Sequence, residues 1–400
     1  MSTKLALAQI PSAPFQPVKP SPVLKIKVLQ LIYSVCHGGI ETALINWIKN
    51  FDRDLFEIHV AYFAGDRNRE QPFLQAAKAE NIETIPIPWS RWKPFFKAAR
   101  AVARVVRELN IDLIHTHAYY ADAVGSLAQL FARVKTMSTV YVWGDYEFHR
   151  QLMQWMDHLS IKFMDKVTAH CEDTYRKTIA RGFKPEDVPV LFSGFPVDRR
   201  PADPKAKLRA KEAEGVPRNE SVLLNIARLA PEKAQDQLLE SFRLIVDRCP
   251  DTRLWISGVG LEAVENQLLE LRRKLDLEGK VFFPGYRHDI WSLLDAADIM
   301  AHPSHVEGVP LALQYGMAAA LPIVVSNVGG VSEIIKHGRS GLLIAENDVN
   351  GFSETVIDLL ENPEKAHSLG QGARTFLETE YSITKAVAKV EKSYREVITK

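Results

Sequence analysis

The pattern of the chain predicts an α/β architecture of two domains facing each other across a cleft, each a parallel sheet with helices on both faces. Three observations carry that expectation. The 400 residues are too many for one ordinary core and suit two. From Lys25 onward, short β-rich apolar runs alternate with longer segments of helical period, the pattern of parallel sheets covered by helices. Between residues 196 and 218 the alternation gives way to a charged stretch punctuated by Pro201, Pro204 and Pro217, a linker's composition, and then resumes.

In chain order, residues 1–24 read as a flexible tail, because the apolar run 5–8 is cut short by Pro11, Pro14, Pro17, Pro20 and Pro22, too broken for a signal-peptide core. Residues 25–195 form the first domain, with strands expected at 26–33, 57–63, 82–87, 112–115, 136–142, 166–170 and 189–192. Residues 219–380 form the second, with strands expected at 221–226, 253–257, 281–283, 299–302, 322–326 and 341–344. In 381–400, Ala386, Val387, Val390, Tyr394 and Val397 recur at helical spacing, so a helix packed on a domain surface is expected.

Composition narrows the function classes. With 46% hydrophobic and 25% charged residues the chain is globular, and a net charge of +1 lacks the basic surplus of a nucleic-acid binder. Cys36, Cys171 and Cys249 are distant and odd in number, which indicates neither a disulfide framework nor a zinc cluster and fits a reducing, cytoplasmic compartment. No apolar run approaches the ~20 residues of a membrane-spanning helix, so any membrane contact would be peripheral, at the inner face.

Three strand-to-helix turns hold the chemistry. After the strand ending at His302 comes a turn with Glu307, Gly308, Val309 and Pro310, then a helix. Bare amides and the positive end of the helix dipole at Gly308 to Leu311 suit a diphosphate, and Glu307 can accept hydrogen bonds from sugar hydroxyls. Read alone, Glu307 is equally a helix cap. The strand ending at Ile226 runs into a loop bearing Arg228 and Lys233, a planar fork and a point charge for phosphate oxygens, although such a pair alone reads as solvated surface. In the first domain Gly38 and Gly39 open a helix where backbone can approach a ligand closely. Neither a Gly-x-Gly-x-x-Gly fingerprint nor a Gly-Lys-Ser/Thr phosphate loop is present, which argues against two common nucleotide classes.

In order and spacing, Gly38-Gly39 with Glu41, Asp112 to His117, Arg228 and Lys233, Gly258 and Gly260, Phe283-Pro-Gly285, Ala297-Asp298, Glu307-Gly308 and Val328 to Glu333 resemble the retaining glycosyltransferases of Rossmann-like GT-B architecture, the glycogen-synthase-like group 1, family 4 type. The likeness spans roughly 26–380 and is strongest from Ser221 to Ile344. It implies a nucleotide-diphosphate sugar as substrate, UDP- or GDP-linked, a glycan or lipid-linked acceptor, and no cofactor or metal. Arg228 and Lys233 would bind the diphosphate, Glu307 the transferred sugar, and the amides of Gly308, Val309 and Leu311 around Pro310 the phosphates. Tyr286 and Arg287, in the loop after Gly285, would meet the base. Gly39 would lie against the donor from the opposite domain, with Gly38 and Gly258 lining it, and His117 would reach toward sugar or acceptor, His115 remaining a core residue.

Two positions depart from the pattern. Tyr315 stands where the family often has a second Glu for the ribose, and a phenol cannot accept from a diol as a carboxylate does. The segment around Tyr141 lacks the His that many members carry there. A sugar-nucleotide epimerase of the same architecture and a catalytically silent sugar- or nucleotide-binding protein are the rival readings. Separately, Trp89 to Arg107 interleaves aromatics with Lys93, Lys97, Arg100 and Arg104, which suits either an anionic membrane surface or an ordinary packed loop and exposed helix face.

Overall fold

The computed structural model describes residues 25–33, 39–65, 72–90, 94–141, 143 and 148–399. The first lobe runs β1 (Ile26–Ile32), α1 (Gly39–Asn50), β2 (Phe56–Ala64), α2 (Pro72–Ala79), β3 (Thr84–Pro88), α3 (Phe95–Leu109), β4 (Leu113–His117), α4 (Tyr119–Ala128), β5 (Lys135–Val140), α5 (Phe148–Ile161), β6 (Lys166–Ala169) and α6 (Glu172–Ile179). After α7 (Pro204–Ala213), the second runs β7 (Ser221–Ile226), α8 (Gln235–Arg248), β8 (Thr252–Ser257), α9 (Glu262–Lys274), β9 (Val281–Gly285), α10 (Ile290–Ala296), β10 (Ile299–His302), α11 (Leu311–Ala318), β11 (Ile323–Ser326), α12 (Val331–Ile334) and β12 (Leu342–Ile344). Helices α13 (Val349–Glu361), α14 (Pro363–Glu380) and α15 (Ile383–Thr399) close the chain.

Both sheets are parallel with six strands, ordered β3-β2-β1-β4-β5-β6 and β12-β11-β10-β7-β8-β9. Counted within each lobe the two orders are the same doubly wound pattern, so the expected class stands. The central strands are apolar on both faces because helices cover both: β10 is buried throughout, and β1 from Val28 onward. Register follows: Val28 faces Leu113 across β1 and β4, and Ile299 faces Leu223 across β10 and β7. Strand order reverses beside β1 and β7, and there the crevice at the strands' carboxyl ends collects ligands in such sheets.

Several expectations are corrected in detail. Around 189–192 only a single bridge forms, Val190 to Ala169 beside β6, so no seventh strand is built. The stretch expected as linker contains α7, started by Asp203, whose carboxylate accepts from the Ala206 amide at 2.7 Å, with Pro204 in the first turn. Proline here opens a helix instead of breaking one.

The last helix packs differently from a surface appendage. Although it follows the second lobe in sequence, α15 buries Ile383, Val387, Val390, Tyr394 and Val397 among Val28, Trp47, Phe56, Leu113 and Met137 of the first. Each such side chain contributes about 1.5–3 kcal/mol. The chain therefore crosses between lobes twice, and the crossings bond to each other: Phe195 donates its amide to the Tyr381 carbonyl at 2.9 Å, and Ile383 donates to the Phe195 carbonyl at 3.0 Å. Gly194 permits this approach, since a Cβ there would fall 2.5 Å from that of Ala386. The tail 1–24, Gly38, and Arg91, Trp92 and Lys93 of the basic-aromatic stretch lie outside the described residues. Trp89 packs on Phe63, Phe95 and Tyr120, with ring centroids at 4.6, 5.5 and 5.9 Å, so this aromatic belongs to the lobe's interior.

Candidate functional site

The second lobe supplies the charged wall. Strand β10 delivers the wholly buried His302, the turn after it delivers Glu307, and Lys233 closes a 3₁₀ turn after β7. Lys233 Nζ donates to Glu307 Oε1 at 2.7 Å, and His302 Nε2 donates to the same oxygen at 2.9 Å. Burial alone would raise the Glu307 carboxyl, but the hydrogen bond from His302 and the charge of Lys233 outweigh it and hold the group down at about 2. Glu307 is thus a buried, ionised anchor. It does not cap α11, whose N-cap is Pro310 and whose first turn receives no side-chain bond.

The turn is braced from behind by glycine. Gly329 sits at φ 52°, and a Cβ there would lie 1.8 Å from the Glu307 carbonyl oxygen. A Cβ on Gly330 would lie 2.7 Å from the carbonyl oxygen of Gly308. Any side chain at Gly329 must push the Glu307 turn out of place. Gly258, at φ 153° and with no room for a Cβ beneath the Ala227 carbonyl, plays the same part beside the Arg228 loop.

The remaining expected residues sort unevenly. Arg228 is 67% exposed on its side chain and paired with Glu232, not turned onto Glu307. Arg287 is engaged by Glu214 at 2.7 Å and Asp289 at 2.7 Å, so its fork is already filled. Tyr286 is exposed next to His288. Tyr315 packs edge-on against Phe195 and Trp291, at 4.8 and 5.7 Å. From the opposite wall, Gly39 opens α1 directly against α11: a Cβ built on it would lie 3.8 Å from that of Leu311. Two helix N-termini therefore meet at the mouth, with Val309 buried beneath.

The first lobe's wall is buried and built mainly of neutral polar groups, with Glu41 in the first turn of α1 as a buried carboxylate whose charge reaches Tyr141. His115 and His117 are both wholly or almost wholly buried. His115 is the satisfied core residue the sequence suggested, bonded to Tyr394 and Thr139 at 2.8 and 2.7 Å. His117 lies deeper than expected: Tyr141 and Gln30 occupy both ring nitrogens at 2.8 Å each, so reaching a ligand requires an exchange of partners. Burial, aided by His170, lowers its pKa to about 3. Across the cleft Glu333 accepts from the amides of Glu172 and Asp173 at 2.8 and 3.0 Å, so a second-lobe carboxylate caps α6 of the first. Among the described residues no three His, Cys, Asp or Glu side chains are placed to hold a metal, and no helix is long and apolar enough to cross a membrane.

The second lobe matches the family model described as "Glycosyl transferases group 1" over residues 206–376, and the first matches "Glycosyltransferase Family 4" over residues 37–199. The chain belongs to the GT-B glycosyltransferases. It is a transferase that uses a nucleotide-sugar donor. Its relatives include a GDP-mannose-dependent monoacylated α-(1-6)-phosphatidylinositol monomannoside mannosyltransferase of Corynebacterium glutamicum, 28% identical over 86% of this chain and 91% of that one. Another is a UDP-Gal:α-D-GlcNAc-diphosphoundecaprenol α-1,3-galactosyltransferase of Escherichia coli, 24% identical over 76% and 80%. In fold the glycosyltransferase resembles Anabaena HepE, crystallised with UDP and glucose, with a TM-score of 0.83, 23% identity, and 93% and 100% of the two chains covered.

Sequence reasoning missed His302, Gln30, Glu333 and Tyr394 as partners in this site. His302 left a signal, an imidazole closing an apolar strand five residues before Glu307, and Glu333 closed the Val328 to Glu333 motif.

Proposed function

We propose that this glycosyltransferase moves a hexose from a UDP- or GDP-linked donor to a hydroxyl of a glycan or lipid-linked acceptor, with retention of anomeric configuration and without a metal, in cell-surface polysaccharide or glycoconjugate synthesis. The observation that carries the reading is the Lys233–Glu307–His302 cluster beside the uncapped start of α11. An ammonium has three hydrogens and Glu307 takes one, which leaves donors for diphosphate oxygens. Amides of the Gly308 turn add partial positive charge where the leaving group gains negative charge. Arg228 would exchange Glu232 for phosphate when a donor arrives.

In the reaction the bond from the anomeric carbon to the phosphate oxygen breaks, and the acceptor hydroxyl oxygen bonds that carbon from the same face. Its proton passes to the departing phosphate oxygen, so no protein base is needed. Tyr315, packed edge-on against Phe195 and Trp291, offers the ribose one phenolic hydroxyl where a carboxylate is common in the family. Lipid-linked acceptors in the names of two relatives support action at the cytoplasmic face of a membrane.

A panel of UDP- and GDP-sugars, assayed for nucleotide diphosphate release with and without acceptor and with and without EDTA, tests the reading. Acceptor-dependent release that EDTA leaves unchanged is expected. Conversion of the donor to another nucleotide sugar without acceptor would indicate an epimerase, and failure to bind any nucleotide diphosphate in calorimetry would indicate a silent binding protein. Flotation with anionic and neutral liposomes tests the membrane location, and equal recovery in both would remove it.

A further inference from the structure

The first lobe holds an unbroken chain of hydrogen bonds that runs from Tyr141 through Tyr394 of the last helix and back to β5, and counting hydrogens fixes its direction. It ends on the Ser138 carbonyl, which can only accept, so Thr168 spends its one hydroxyl hydrogen there, at 3.0 Å. Thr168 must then accept from Thr139, at 2.8 Å. With its hydrogen spent, Thr139 accepts from His115 Nε2, at 2.7 Å. Neither His115 nor His117 bonds a carboxylate, and their ring centroids lie 4.3 Å apart in the interior, an arrangement that keeps both imidazoles neutral.

A neutral ring with Nε2–H has a lone pair at Nδ1, so the Tyr394 hydroxyl donates to His115 Nδ1, at 2.8 Å. The Tyr394 oxygen therefore accepts from the Gln30 amide nitrogen, at 2.7 Å, which turns the Gln30 carbonyl oxygen toward His117 Nε2, at 2.8 Å. His117 is then also Nε2–H, and its Nδ1 accepts from the Tyr141 hydroxyl, at 2.8 Å. Each link leaves the next no choice. Tyr141 follows the last residue of β5 at the sheet's carboxyl edge and is only partly buried.

We propose that Tyr394 is a positioning residue which, through Gln30, holds His117 as the Nε2–H tautomer, so that Tyr141 donates inward and turns oxygen lone pairs to the cleft. The wall facing the donor lobe is then an acceptor of hydrogens, suited to the hydroxyls of a sugar and not to an anion. The link from this wall to catalysis rests on the transferase reading above; the tautomer does not.

Long-range proton–nitrogen correlation spectra of histidine-labelled protein near neutral pH test the polarity directly. In the wild-type chain both His115 and His117 are expected as Nε2–H. Tyr394→Phe frees the Gln30 amide to turn, and His117 is expected to become a mixture of tautomers. Gln30→Glu can only accept, so Tyr394 turns its hydrogen to the carboxylate; His115 is expected to switch to Nδ1–H, with Thr139 turning to donate to its Nε2 and Thr168 leaving the Ser138 carbonyl to donate to Thr139, while His117 stays Nε2–H. A wild-type His117 that is charged or Nδ1–H overturns the proposal, as does a His117 indifferent to Tyr394→Phe. Should Tyr394→Phe not fold, the wild-type and Gln30→Glu spectra still decide. Once a donor and acceptor are known, Tyr394→Phe is expected to lower kcat about tenfold, the scale of one misplaced hydrogen bond, with the donor KM little changed. A chain without transferase activity would sink the catalytic reading while the spectra still judged the tautomers.

Discussion

The two lobes share one strand order and put opposite chemistry at the same place in it. At the cleft edge of the second lobe, beyond β7 and β10, stand Lys233 and Glu307, held by each other, and Arg228, held by Glu232. At the matching edge of the first, beyond β1, β4 and β5, stand imidazoles, an amide and phenols that share hydrogens without net charge. The difference teaches that the topology provides the crevice and nothing more, and that equivalent scaffolds carry paired ions at one edge and shared neutral hydrogens at the other.

The sharpest way to break the comparison is Lys233→Met. It leaves Glu307 charged and without its ammonium in a buried setting, at a cost of about 3–5 kcal/mol. A fall in kcat of roughly 10²–10³-fold is expected from the lost leaving-group stabilisation. Normal turnover would show that the second lobe's charges are structural only. Hydrogen exchange should report the lost stability in β7 and β10 and spare β1 and β4.

Acid should discriminate the lobes in the other direction. Burial holds His117 at about 3, His170 at about 4 and His115 well below the usual imidazole value. These pKa values are depressed on folding, so the unfolded chain binds protons that the folded one does not. Stability is full above about pH 6.5 and is lost as pH falls toward about 4. The buried Asp122 and Asp157, both raised by burial, act in the opposite sense, but they are two carboxyls against three imidazoles. Hydrogen exchange at pH 7 and pH 5, corrected for intrinsic rates, should show β1, β4 and β5 losing protection first; loss beginning in β7 and β8 would contradict this.

Val390→Ala probes which lobe owns the last helix. About 2 kcal/mol of destabilisation is expected, read in the amides of β1 and β4, although the residue follows the second lobe in sequence. Arg228→Ala should change stability least, by under about 1 kcal/mol, because its partner Glu232 is a surface pair. It should still weaken nucleotide diphosphate binding by about tenfold or more in calorimetry, and unchanged affinity would remove Arg228 from the site.

How much of this the sequence disclosed follows the same division. The charged wall was legible because it is built locally, from turns and the helices after them: Glu307, Gly308, Val309 and Pro310 are contiguous, and Arg228 and Lys233 lie five residues apart. The Glu307 contact with Lys233 spans 74 positions, yet both residues were already marked by their turns. The neutral wall was not legible, because its members are joined by packing alone. Gln30 and Tyr394 are 364 positions apart and each looks like an ordinary strand or helix residue. Strands β7 and β10 matched to the residue, because both faces are buried and turns bound them. The segment 189–192 did not, because its apolar run serves the hinge rather than a sheet. Tyr315, singled out as a departure, fills an aromatic cluster instead of leaving a gap.

The paired crossings at Phe195 and Ser382 make the amino-terminal lobe discontinuous along the chain. The half that leaves the ribosome first is therefore finished last, since Tyr394 and its neighbours on α15 fill that lobe's interior. Until then Gln30 and His115 lack the phenol that joins them, so the second lobe, uninterrupted in sequence, is the one equipped to mature while its partner waits.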